Sequence, residues 1–95
     1  GNWDALHALV DGDADGNVVR GDVIAVDSRD CLIRSDKDGP LVATVGLDGV
    51  TIVATADSVL VVARGRAQDV KRVVDRLKAS GRQETERLMK ELMDR

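Results

Sequence analysis

The side chains with chemistry to offer are mostly acids, and they crowd into Asp11-Gly12-Asp13-Ala14-Asp15-Gly16-Asn17-Val18-Val19-Arg20-Gly21-Asp22. Oxygen donors at alternate positions, a glycine at the sixth place, an apolar residue at the eighth and a carboxylate at the twelfth suit a hard cation such as Ca2+, which takes six to eight oxygens. Asp11, Asp13, Asp15, Asn17 and Asp22 would be its ligands. Two features oppose that reading: the twelfth residue is Asp, shorter than the Glu that reaches a cation with both oxygens, and a strand pattern comes next where a helix should leave. The same residues serve equally as an acidic, glycine-rich turn from helix to strand. That turn is the reading adopted, with a small calcium-binding module as the alternative.

The remaining candidates point away from catalysis. Asp22, Asp27 and Asp30 lie close along the chain, but hydrolytic carboxylate pairs need an apolar pocket that keeps one of them protonated. These three sit where strands turn, and they are read as corner residues. Cys31 is the only cysteine; it cannot form an internal disulfide, and its apolar neighbours make it a small buried residue of a reducing compartment. His7 is the only histidine and has no second ligand beside it, while Ser28, Ser35, Ser58 and Ser80 have no histidine nearby in sequence. Neither Gly46-Leu47-Asp48-Gly49 nor the Gly12 to Gly16 stretch has the spacing or the lysine of a phosphate-binding loop. The net charge of -3, with bases and acids interleaved and Trp3 the only aromatic residue, excludes a nucleic-acid surface. No apolar run approaches the roughly 20 residues that span a bilayer, and no signal peptide opens the chain, so a cytoplasmic protein without a membrane partner is expected.

The elements that must carry these residues fall into three regions of one 95-residue domain. Residues 1–10 read as a short helix with Asn2 as N-cap and Trp3, Leu6, Leu9 and Val10 on one face. Residues 17–63 form a β-core of short β-branched runs: Val18-Val19, Val23 to Val26, Cys31 to Ile33, Leu41 to Val45, Val50 to Ala54 and Ser58 to Ala63. Turn-forming stretches separate them, among them Ser35 to Pro40, within which Asp36 to Pro40 is the exposed loop. Two topologies fit such short strands with frequent corners: an antiparallel meander closing into a barrel, or parallel strands coiled into a prism. Periodicity leaves both open. The Val59-Leu60-Val61-Val62 run is apolar on both faces, which places it beneath cover on both sides or under a terminal helix. Beyond it the period lengthens, and a helix over 66–79 presents Ala67, Val70, Val73, Val74 and Leu77 on one face. A further helix over 83–94 groups Leu88, Met89, Leu92 and Met93, a surface for packing or for a partner.

Several motifs in order carry a resemblance: Trp3-Asp4-Ala5-Leu6, Gly16 to Val23, Asp27 to Ile33, Leu41 to Gly46, and Gln68 to Val74. Over Gly1 to about Gln83 the chain resembles the C-terminal domain of GDP-forming mannose-1-phosphate guanylyltransferase, the family that often carries a fused phosphomannose isomerase. The resemblance implies a short left-handed parallel β-helix placed after a nucleotide-binding α/β domain. It also implies that the chemistry making GDP-mannose from GTP and mannose-1-phosphate, with its glycine-rich loop and its Mg2+, lies mainly on that upstream domain. Asn2 stands where the family usually has Ser in a Gly-Ser-Trp motif, no active-site residue carries over, and Thr85 to Arg95 departs from the family pattern.

These readings converge on a mainly β fold with flanking helices, taken as the cut edge of a longer chain that opens at Gly1. Its expected role is that of a non-catalytic scaffold and oligomerisation module, inactive alone and without a cofactor. The helices are expected to cap the ends of the coil, and Leu88, Met89, Leu92 and Met93 to contribute to contacts in a homo-oligomer.

Overall fold

The computed structural model describes residues 14–81. The expected helices over 1–10 and 83–94, with His7, Asp11, Asp13 and the Leu88 to Met93 stripe, lie outside the described residues.

Six short strands succeed one another: β1 (Val18–Arg20), β2 (Val23–Val26), β3 (Leu32–Ser35), β4 (Val42–Val45), β5 (Thr51–Ala54) and β6 (Val59–Val62). All but the last pair in parallel. Val19 lies beside Ile33 and Ile33 beside Ile52, while Ile24 lies beside Ala43 and Val26 beside Val45. A third line of contact is the parallel bridge between Arg29 and Asp48, closed by Arg29 N–H to the Leu47 carbonyl and Gly49 N–H to the Arg29 carbonyl. The chain therefore coils: β1, β2 and the Arg29 corner make one turn, β3, β4 and the Asp48 corner the next, and β5 opens a third. Of the two topologies left open by periodicity, the parallel coil is the one formed.

The corners recur in register. Asp27 and Asp30 adopt positive φ of 51° and 53°, and the residues stacked on them in the next turn, Gly46 and Gly49, have φ of 71° and 70°. Left-handed backbone is costly for most residues and tolerated by Gly and Asp. That is the physical reason aspartates and glycines mark these turns, as the corner reading expected. Between β3 and β4 the second turn takes a longer path through Asp36 to Pro40. The Asp36 side chain accepts from Lys37 N–H at 2.8 Å, and the Ser35 hydroxyl donates to the Pro40 carbonyl at 2.6 Å. Ser35, expected in the turn-forming stretch, ends β3 instead; its hydroxyl can be buried there because the Pro40 carbonyl accepts its hydrogen bond.

Inside the coil Cys31, Ile33 and Ile52 form the apolar centre, joined by Val19, Val23, Ala25, Val42, Leu47 and Val50. Such small branched residues fill a narrow interior without aromatic rings. The buried polar residues close on one another: the Asn17 amide donates to the Ser28 carbonyl at 2.7 Å, its oxygen accepts from Cys31 N–H at 3.0 Å, and the Ser28 and Thr44 hydroxyls pair at 2.9 Å. Each bond ties one turn or corner of the coil to another.

Parallel winding ends at Thr55 to Ser58. There Thr55 N–H donates to the Ser58 carbonyl at 2.8 Å and its hydroxyl pairs with that of Ser58 at 2.7 Å, so β6 returns antiparallel to β5. After a 3-10 turn at Ala67–Asp69 comes the helix α1 (Val70–Ala79), where one continuous helix from 66 was expected. Val70 and Leu77 pack on Val53, Leu60 and Val62; on β6 these alternate with the exposed Val59 and Val61. The helix thus covers the side of the coil, whereas the sequence suggested that it would plug an end. Its packed face is narrower than expected too: Val74 is half-buried, but Ala67 and Val73 are exposed.

Candidate functional site

The polar side chains with chemical potential are spent on the coil itself. Asn17 is 1% exposed and turned inward, with both ends of its amide engaged in the bonds above. Asp22 stands at the next corner, beyond strand β1, where its carbonyl accepts from Val42 N–H. Strand β1 runs extended between Asn17 and Asp22, so the two residues do not lie on one curled loop. Asp15, at the entrance to β1, passes its carbonyl to Asp30 N–H. Of the five proposed calcium ligands, Asn17 is thus committed to the interior of the coil. Among the described residues no three His, Cys, Asp or Glu side chains converge as metal ligands.

Cys31 is 2% exposed, its thiol directed at the Arg29 carbonyl at 3.3 Å. This is the small buried residue that its apolar surroundings predicted. Ser28 donates to the Val26 carbonyl or pairs with Thr44, Ser58 closes the β5–β6 turn, and Ser80 donates to the Leu77 carbonyl at the end of α1. At the third line of the coil, Asp48 lies between Arg29, at 3.3 Å, and Arg64. All three are substantially exposed, where ion pairs contribute little.

One outer face of the coil is apolar. Residues of β2 and β4 that alternate with the core face solvent: Ile24 is 53% exposed, Val26 46% and Val45 71%, with Ala43 among them and Leu41 at their edge. By register these side chains form two adjacent rows on one flat face. Neighbouring exposed aliphatic residues on a sheet mark a contact surface. The sequence reading missed this strip because Val23-Ile24-Ala25-Val26 is apolar at every position, so period two could not say which half points inward. An unbroken apolar run between polar corners was nonetheless the available signal for a strand with two apolar faces.

Fold and site together define a parallel β-helical module whose buried polar groups serve its own corners and one of whose outer faces, on β2 and β4, is aliphatic. Residues 16–77 match the MannoseP isomerase/GMP-like beta-helix domain family, and the chain belongs to that family. It is 41% identical over 86 residues to the alginate biosynthesis protein AlgA of Pseudomonas aeruginosa, covering 90% of this chain and 18% of that protein. It is 44% identical over 87 residues to a mannose-1-phosphate guanylyltransferase of Escherichia coli, covering 92% of this chain and 18% of the relative. Among solved structures it resembles that of mannose-1-phosphate geranyltransferase from Thermus thermophilus, with a TM-score of 0.60 and 35% identity over 80% of this chain and 23% of the other. The chain thus spans under a fifth of the length of these curated relatives, and they support the C-terminal β-helix domain that its motifs resemble. No helix among the described residues is long and apolar enough to cross a membrane.

Proposed function

We propose that this chain is a non-catalytic scaffold, a left-handed β-helix that holds copies of its parent enzyme together in the cytoplasm. On this reading the parent makes GDP-mannose from GTP and mannose-1-phosphate, and the reacting groups and Mg2+ belong to the domain upstream. The observation that carries it is the bare β2–β4 face, where Ile24, Val26 and Val45 lie open beside one another. Association through such a face would take these methyl groups out of water, at about 25 cal/mol for each Å2 buried.

Light scattering across a concentration series tests the association. The chain should form a defined oligomer, and Ile24→Lys with Val45→Lys should shift it to monomer while leaving its circular dichroism unchanged. A monomeric parent chain at high concentration sinks the proposal. Incubation with GTP, mannose-1-phosphate and Mg2+ should give no GDP-mannose above the rate without protein; turnover would place reacting groups on this chain and overturn the scaffold role.

A further inference from the structure

The coil ends on a step. Its first sheet carries β5 and β6 beyond β3, whereas among the described residues no strand continues the β2–β4 sheet past β4. Val42 N–H donates to the Asp22 carbonyl and Gly46 N–H to that of Val26, each at 2.9 Å. Backbone groups of successive strand residues point to opposite sides, so the N–H and C=O of Ala43 and Val45 point away from β2, along the outer edge of β4. Above the step stands β6. Val61 lies beside Ile52 and Val59 beside Ala54, and residues opposite one another in an antiparallel pair project to the same face. Ile52 belongs to the apolar centre of the coil, so Val59 and Val61 project over its end, on the side of β6 away from α1, where they are 62% and 61% exposed.

We infer that this step binds an extended segment of a partner protein, paired in parallel with β4 through the backbone of Ala43 and Val45 and turning small aliphatic side chains toward Val59 and Val61. Adding a strand to a sheet edge draws affinity from the main chain and selectivity from alternate side chains. Three observations carry the assignment. The first is the repeat: β2 and β4 run parallel in register, so the next strand of the coil belongs at this edge and runs the same way. The second is size. The inward rows stack Val42 on Val23 and Thr44 on Ala25, and a third layer takes side chains equally short. The third is charge. Asp36, Lys37 and Asp38 precede β4, and Asp57 follows closely after Ala54, whose carbonyl accepts from Asp36 N–H; beyond β4, Asp48 lies between Arg29 and Arg64. A parallel segment that opens with a base and closes with an acid meets opposite charge at both ends. A second copy could bring its own β4 to this edge only by driving its coil against the projecting β5 and β6, so a single extended segment fits where a whole coil does not.

The probe is the peptide Lys-Thr-Val-Thr-Val-Thr-Glu, acetylated and amidated, titrated calorimetrically into the full chain. By the β2–β4 pattern the amides of its valines face β4 and those of its threonines point away. One peptide should bind per chain. N-methylation of a valine amide should weaken binding at least about tenfold, whereas N-methylation of a threonine amide should leave it within about twofold. Exchanging the terminal Lys and Glu, or introducing Val61→Asp, should also weaken it, and Ala43→Pro, which removes an N–H that β2 does not use, should abolish it with the circular dichroism unchanged. Absence of binding, as when the chain's own sequence or a second copy fills the edge, overturns the inference, and so do equal losses from the two methylated peptides. Ile24→Lys, on the outward face that carries the scaffold role, should leave the peptide's affinity unchanged, so the two proposals fail separately; an affinity lost with it would place the peptide on that face and overturn the edge site.

Discussion

Two outer faces of the same coil are built from the same kind of residue and meet opposite fates. On the β5–β6 face Val53 and Leu60 are 2% and 7% exposed because α1 lies across them; on the β2–β4 face Ile24, Val26 and Val45 are open. The difference lies in the connection that leaves each sheet. After β6 the chain passes through a turn into α1, which has an apolar side to offer, whereas after β4 it goes directly to the Asp48 corner and on to β5. A β-branched outer row therefore indicates a surface able to be buried, and the connection decides whether the domain buries it or leaves it for another molecule.

Removing side chains from each face should separate these roles, and the largest effect belongs to the covered one. Leu60→Ala empties a site enclosed by Val53, Val62, Val70 and Leu77 and is expected to cost about 2–4 kcal/mol in urea unfolding, the range for truncating a buried leucine. Asn17→Ala calibrates the interior beneath both faces. It strands the Cys31 N–H and the Ser28 carbonyl, and a loss of about 1–3 kcal/mol is expected by the same measurement. On the bare face Val45→Ser should change the unfolding free energy of the monomer by no more than about 0.5 kcal/mol while weakening association in sedimentation. A loss at Val45 as large as that at Leu60 would show that the β2–β4 face is covered within one chain, and the contrast would collapse. The smallest effect concerns the corners common to both faces. Asp27→Gly and Gly46→Asp exchange residues at equivalent left-handed positions, and nothing lies near the Gly46 Cα to obstruct a side chain. Each should shift stability by under about 1 kcal/mol, since relief of left-handed strain and the added freedom of glycine in the unfolded chain oppose each other.

Much of this was legible in the residues. Every strand overlaps an expected β-branched run, although β1 continues to Arg20 and β3 to Ser35; the Asp36 to Pro40 loop and the acidic corners fall where turn chemistry placed them, and Cys31 is buried among aliphatic neighbours. The helix after Arg64 was expected as well, but its packed side was not: Val73 shares the apolar spacing of Val70 and Leu77, yet lies outside the cluster they form with Leu60 and Val62. The calcium alternative is weakened for a related reason. Spacing along a chain approximates spacing in space only while the chain curls, and Val18 to Arg20 run extended, carrying Asn17 and Asp22 apart. The repeat of corners, Asp27 with Asp30 and Gly46 with Gly49, was hidden because the two pairs share a backbone conformation and no side-chain chemistry.

By itself the sequence determined the local geometry: where the backbone extends, where it must enter left-handed conformation, and that the interior would be aliphatic and narrow. Those properties depend on each residue and its immediate neighbours. The tertiary structure alone decided that the strands stack in parallel, that β6 turns back, and that one apolar face is roofed while another is bare. These outcomes rest on pairings between residues distant in the chain, such as Asn17 with Cys31 and Leu60 with Leu77, whose strength depends on all the others being in place.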